Sequence, residues 1–239
     1  LLAVIGVKTA VGNFDRRQAM RETWMRTDLG SFSGRACLRF ITGRPGPELP
    51  RETMTALTLE ASMYGDLLGP VSSTRAEADG RPVANEVLDV QDDYENLVAK
   101  TVEFMGIAME QLAHFQYLVM MDDDVYLRLD WLLELLEKRR PQDDKRGFYA
   151  GQVRAAEVGR EVRPQRYPAP KNALTKKEWP MDVLPRFALG PLYILSRYCV
   201  EFIVANKSWL RSVGTLEDVS VALWLLPLQV HPSHLENLK

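Results

Sequence analysis

Short apolar runs alternate with amphipathic stretches along most of this chain. Leu1-Leu2-Ala3-Val4-Ile5-Gly6-Val7 is an unbroken apolar run and predicts a buried strand over residues 2–8. A loop over 9–13 leads into a helix predicted over 15–25, with Asp15 placed to cap it or to meet its dipole. A second strand, 37–43, is stopped by the Gly/Pro-rich stretch 43–50. The helix after it, 52–64, is marked by Met54, Leu57, Ala61 and Tyr64 at helical spacing. Residues 65–68 read as a short strand and 70–86 as a surface loop. A long helix follows at 93–114, then the apolar strand Tyr117-Leu118-Val119-Met120-Met121 and a helix at 130–139. Residues 148–151 form a strand, 154–182 an irregular segment, 192–195 a strand, 197–206 a helix and 217–226 a last helix.

Strands that alternate with helices favour one mostly parallel α/β sheet covered on both faces. The 239 residues, 46% hydrophobic, suffice for one sizeable core. The reading is therefore a single domain over 1–239. A net charge of −2 argues for no nucleic acid and no anionic membrane surface as partner. No run approaches the length of a membrane span, and the chain opens directly on a core strand. It reads as an excised domain, with any membrane attachment coming from an anchor outside it. Cys37 and Cys199 either pair or stay as buried thiols. Asn206-Lys207-Ser208 is an N-glycosylation sequon that matters only in the secretory pathway.

The chemistry concentrates at Asp122-Asp123-Asp124, which ends the fourth strand. Ligands of open α/β sheets bind at the carboxyl ends of strands. Carboxylates this close repel one another unless a cation holds them. A divalent metal on Asp122 and Asp124 explains the triplet, and oxygen ligands suit Mg²⁺ or Mn²⁺ completed by a substrate's phosphates. The competing reading is a solvated acidic turn before the next helix. Arg16, Arg17 and Arg21 could meet phosphates or form a solvated helix face. Glu217 and Asp218 could supply a general base or serve only the start of the last helix. His231 and His234 could complete a metal shell or lie exposed.

Joined in order, these segments resemble the inverting β-1,3-glycosyltransferases of the family-31 group, which holds galactosyl- and N-acetylglucosaminyltransferases. The matching segments are Asn13-Phe14-Asp15-Arg16-Arg17-Gln18-Ala19-Met20-Arg21-Glu22-Thr23-Trp24, the block from Asp89 to Thr101, Asp122-Asp123-Asp124-Val125, Ala188 to Ser196, and Glu217-Asp218-Val219. The tail His234-Leu235-Glu236-Asn237-Leu238 resembles the metal-histidine segment of the related fringe transferases. The chain departs from the family pattern at Val98, Ala188 and Leu192.

The resemblance implies a GT-A-type nucleotide-sugar-binding fold: a mostly parallel central sheet flanked by helices, with a donor half over about 1–125 and an acceptor half over about 126–239. It implies an inverting hexosyltransferase that moves galactose or an N-acetylhexosamine from a UDP-sugar to a glycan acceptor, in the Golgi lumen. Asp122, Asp124 and His234 would hold Mn²⁺, or Mg²⁺. Asp218 would be the catalytic base. Arg16, Arg21, Asp92, Lys100 and Asp123 would face the donor, and Trp179, Gly190 and Glu217 the acceptor. Trp24 reads as core, whereas Trp179 could stack on a sugar. Two rivals are a non-catalytic carbohydrate- or nucleotide-binding relative and a haloacid-dehalogenase-type phosphatase, which shares the string Asp-x-Asp-x-Val.

Overall fold

Strand β1 (Ala3–Lys8) is buried along its whole length and lies at the centre of the molecule, between β2 (Ala36–Ile41) and β4 (Tyr117–Asp122). The computed structural model describes residues 1–26, 34–46, 50–68, 88, 90–112, 114–139, 147–155 and 174–236. The other strands are β3 (Leu67–Leu68), β5 (Tyr149–Arg154), β6 (Phe187–Ser196) and β7 (Ser233–His234). Together they form one seven-stranded sheet in the order β3-β2-β1-β4-β6-β5-β7. All neighbours pair in parallel except β6, which runs antiparallel to both β4 and β5.

Six helices cover the sheet among the described residues: α1 (Phe14–Glu22), α2 (Arg51–Tyr64), α3 (Leu97–Gln111), α4 (Leu129–Glu137), α5 (Arg197–Asn206) and α6 (Glu217–Leu225). Alternate strand residues serve opposite faces, as the two-residue period requires. Ala3, Ile5 and Val7 of β1, with Val119 and Met121 of β4, pack with Met20 and Trp24 and with Leu132, Leu133 and Leu136 of α4. Val4, Leu118 and Met120 face the other way, toward Phe104 and Met105 of α3, Ile203 of α5 and Val221 of α6. The Phe104 ring lies so close over Gly6 that a β-carbon there would come within 2.3 Å of it, which is why β1 carries glycine at this point. The result is the mostly parallel α/β architecture of the GT-A type that the sequence implied.

The differences from the sequence reading are local. The helix expected from residue 93 starts only at Leu97, because the Asp93 carboxylate accepts from the Asn96 backbone N–H and side-chain amide and holds a turn there. The first helix ends at Glu22 and continues as a 3₁₀ turn, Trp24–Arg26. The strand expected at 192–195 is ten residues long, and its reversed direction was not anticipated. The loop expected at 70–86 and most of the irregular segment at 154–182 lie outside the described residues. Cys37 and Cys199 are both free thiols, and burial raises the pKa of Cys199. No described helix is long and apolar enough to cross a membrane.

The register of β6 matters most for function. Leu192 pairs with Met121, so the first residues of β6, including Gly190, run past the carboxyl end of β4. They bring a second backbone to the edge where the acidic triplet sits.

Candidate active site

Lys8 ends β1 as the register partner of Asp122, and its ammonium is buried. Three acceptors surround it: the Gly190 carbonyl at 2.9 Å, Asp122 Oδ1 at 3.1 Å and Glu217 Oε2 at 3.4 Å. Three N–H groups meeting three oxygens is the full capacity of a lysine. Burial alone would lower its pKa, but the charges of Glu217 and Asp122 outweigh it and raise the value. This lysine was not singled out from the sequence. Its one signal there was a cation closing an otherwise apolar strand.

Glu217 and Asp218 open α6 and diverge. Glu217 turns inward and is buried, accepting from the Tyr193 hydroxyl and pairing with Lys8. It supports the site from below rather than meeting an acceptor, which corrects the expectation for it. Asp218 turns toward β6. Its Oδ2 accepts from the Gly190 N–H at 3.0 Å and its Oδ1 from the Val219 N–H at 2.9 Å. Burial first, and the charge of Glu217 second, hold its carboxyl above the usual range. A β-carbon at Gly190 would lie 3.6 Å from Asp218 Oδ2 and 3.9 Å from Lys8 Nζ. Gly190 thus stands beside both groups. Tyr94 also belongs here: burial and the charges of Asp218, Asp122 and Glu217 raise the pKa of its hydroxyl.

The acidic triplet divides into three environments. Asp122 faces Lys8, yet burial, Glu217 and Asp124 keep its carboxyl above the ordinary value. Asp123 is buried and turns to the loop after β1. It accepts from Thr9 Oγ1 at 2.6 Å, Asn13 Nδ2 at 2.8 Å and Arg16 at 2.7 Å. With its oxygens so engaged it fastens the loop after β1. Asp124 is largely exposed and meets Arg16 at 3.4 Å.

Asp92 and Lys100 pair at 2.6 Å beneath the same loops. Asp92 also accepts from the Val11 and Gly43 N–H groups, and Lys100 donates to the Thr9 carbonyl. Both were expected at the donor. They tie the ends of β1 and β2 to α3 and so form the floor there.

Three expected residues are not brought to the cluster. Arg21 is committed to Glu60 at 2.8 Å and Asp66 at 2.7 Å, and stacks on Tyr64 and Phe40. Its neighbour Arg17 binds Glu60 in the same buried network. Trp179 is 7% exposed, packs in the core and donates its indole N–H to the Val183 carbonyl, so it presents no face for a sugar. His234 lies in β7, where its Nδ1 accepts from the Val153 N–H at 3.0 Å. A neutral histidine accepting through Nδ1 carries its proton on Nε2, which then cannot ligate a metal. So engaged, His234 is held by β5 and not by the acidic triplet. Trp24 is buried in the core, as expected.

Among the described residues no three of His, Cys, Asp and Glu enclose a metal ion by themselves. The site nonetheless carries an excess of negative charge. Five carboxylates (Asp122, Asp123, Asp124, Glu217, Asp218) gather here around two cations, Lys8 and Arg16. Asp122 and Asp124 retain oxygens with which to meet a hard cation, and these are the ligands Mn²⁺ and Mg²⁺ take.

Residues 86–236 match the family described as Galactosyltransferase. The probable beta-1,3-galactosyltransferase 13 of Arabidopsis thaliana is 30% identical over 244 residues, covering 100% of this chain and 62% of that protein. Beta-1,3-galactosyltransferase 6 of Mus musculus is 30% identical, covering 98% of this chain and 62% of its own length. An acetylgalactosaminyl-O-glycosyl-glycoprotein beta-1,3-N-acetylglucosaminyltransferase of Mus musculus is 28% identical over 83% of this chain and 44% of that protein. The chain thus spans 62% of the length of the first two relatives. The resemblance carried by the arginine-rich helix, the acidic triplet and the Glu-Asp-Val segment is borne out: the chain belongs to the galactosyltransferase family.

Proposed function

We propose that this chain is the catalytic unit of a metal-dependent, inverting β-1,3-galactosyltransferase. It moves galactose from UDP-galactose to a hydroxyl of a glycan acceptor, in the lumen of the Golgi, with any anchor lying outside the chain. The observation that carries the reading is Asp218: a carboxylate with a raised pKa, oriented by two backbone N–H groups, on the same edge of the sheet as Asp122.

Each side chain has a part to play. Asp218 takes the proton of the acceptor hydroxyl as that oxygen attacks the anomeric carbon. The new C–O bond forms on the face opposite the departing UDP, so configuration inverts and no covalent sugar–protein species is needed. A pKa nearer the working pH suits a base of this kind. Gly190 leaves room beside Asp218 for the acceptor, and Tyr94 borders the same space. Arg16 is half-exposed at the rim and, on leaving Asp124, faces the diphosphate. Asp122 and Asp124 would hold an Mn²⁺ or Mg²⁺ ion, which when bound would supply Lewis acidity toward the leaving diphosphate.

The names of the first two relatives favour galactose as the sugar, and the third keeps N-acetylglucosamine as the alternative. Family membership leaves the haloacid-dehalogenase reading without support. The test is UDP release with Mn²⁺ from UDP-galactose, UDP-N-acetylglucosamine and UDP-N-acetylgalactosamine in the presence of glycan acceptors. Turnover of UDP-galactose that is lost in Asp218→Asn supports the reading. UDP binding without turnover of any donor would make the chain a non-catalytic relative.

A further inference from the structure

Trp209 is the most exposed large hydrophobic side chain among the described residues, at 83%. It sits in the turn that leaves α5, and its backbone N–H donates to the Asn206 carbonyl at 2.8 Å. Residues three apart in one such turn lie on the same side. The exposed indole therefore stands next to Asn206, the first residue of Asn206-Lys207-Ser208 and the only N-glycosylation sequon in the chain.

Asn206 ends α5 and is partly exposed, and Lys207 and Ser208 are exposed. One N–H of its side-chain amide donates to the Phe202 carbonyl at 2.8 Å, satisfying one of the helix's last unpaired acceptors. A primary amide has two N–H groups. Attachment of a sugar replaces one hydrogen and leaves the other, so the modified amide keeps one donor for the helix end. The turn is fixed on both sides. Leu210 N–H also donates to the Asn206 carbonyl, and the Trp224 indole N–H donates to the Arg211 carbonyl. The indole is thus an apolar plate on a rigid support, and the apolar face of a pyranose ring is its natural cover.

We infer that Asn206 is an N-glycosylation site and that Trp209 packs against the first N-acetylglucosamine of its glycan. The inference rests on the proposed passage through the secretory lumen. The donor is a lipid-diphosphate-linked oligosaccharide supplied by a membrane oligosaccharyltransferase. The Asn206 Nδ2–C1 bond forms, the C1–O bond to the diphosphate breaks, the lipid diphosphate leaves with that electron pair, and the transferring enzyme takes the amide proton.

The chain is synthesised behind a cleavable signal peptide with endoplasmic-reticulum microsomes, and only protease-protected product is scored. The expected result is a mass increase of one N-glycan, removed by peptide N-glycosidase, absent in Asn206→Gln and Ser208→Ala and retained in Ser208→Thr. Protected chain without a glycan overturns the site. Trp209→Ala should keep the glycan but abolish the rise in Tm that the glycan confers on the wild type. An undiminished rise overturns the role of Trp209. UDP release measured on unglycosylated chain made in bacteria reports the transferase reading separately, so failure of one is distinguished from failure of the other.

Discussion

The backbone N–H of Gly190 lies 3.0 Å from Asp218 Oδ2, while the carbonyl of the same residue accepts from Lys8. One residue of an antiparallel strand thus orients the Asp218 carboxylate and anchors the buried cation. A β-carbon at this position would make only ordinary van der Waals contacts, at 3.6 Å from Asp218 and 3.9 Å from Lys8. Gly190→Ala should therefore fold and bind donor normally but raise the acceptor KM, since the added methyl occupies the space beside the base. Urea unfolding and acceptor titration check this, and unchanged acceptor KM would place the acceptor elsewhere.

Lys8 offsets two buried or half-buried carboxylates and a carbonyl. Lys8→Met removes one partner and leaves Asp122 and Glu217 uncompensated, which should cost about 3–5 kcal/mol of stability. The double variant Lys8→Met/Glu217→Gln should recover part of that loss, because one of the two stranded charges is gone. Chemical denaturation measures both. A Lys8→Met chain as stable as the wild type would mean that the lysine compensates nothing.

The pH profile follows from Asp218. Its folded pKa is raised, so it takes up its proton at higher pH than an ordinary aspartate. A base works only when unprotonated. kcat/KM should thus fall about tenfold per pH unit on the acid side of a limb that lies at higher pH than an ordinary aspartate would give. Asp218→Asn should lower kcat by about 10²–10⁴ and erase the limb. Glu217→Gln, by contrast, should act mainly on stability, through Lys8 and Tyr193. A limb that survives Asp218→Asn would assign the base to another group.

Metal dependence separates Asp124 from His234. Asp124 is exposed and its contact with Arg16 is long, so Asp124→Ala should leave unfolding unchanged while abolishing Mn²⁺-dependent UDP binding. His234→Ala should leave Mn²⁺ affinity untouched, because Nδ1 is engaged by Val153. Isothermal titration of Mn²⁺ with UDP decides it. A clear loss of affinity in His234→Ala would return the histidine to the metal shell.

Much of the frame was legible in the sequence, because burial writes itself as apolar runs. β1, β4 and five of the six helices begin and end near where hydrophobic spacing put them, whereas α3 starts four residues late. What was not legible is relational. An apolar run does not state its direction, so β6 gave no sign of being antiparallel, and two-residue β7 is too short to show a period. Charge identity is visible but partnership is not. Arg21 and Arg16 look alike in sequence, yet one is sealed against Glu60 and Asp66 while the other sits at the rim. Lys8 pairs with Glu217 across 209 positions, a distance that no local pattern spans. Trp179 illustrates the reverse case: it lies in a segment that looked irregular, but its ring fills core.

The middle carboxylate of the acidic triplet has a consequence for anyone moving parts between such proteins. Asp123 receives Thr9, Asn13 and Arg16, so the loop over 9–16 and the strand end at 122–124 are two halves of one clasp. A loop transplanted from a relative would arrive without its catch unless position 123 and its three donors travelled together. The exchangeable unit at this edge therefore includes at least two segments far apart in sequence, with Asp123 as a side chain they share.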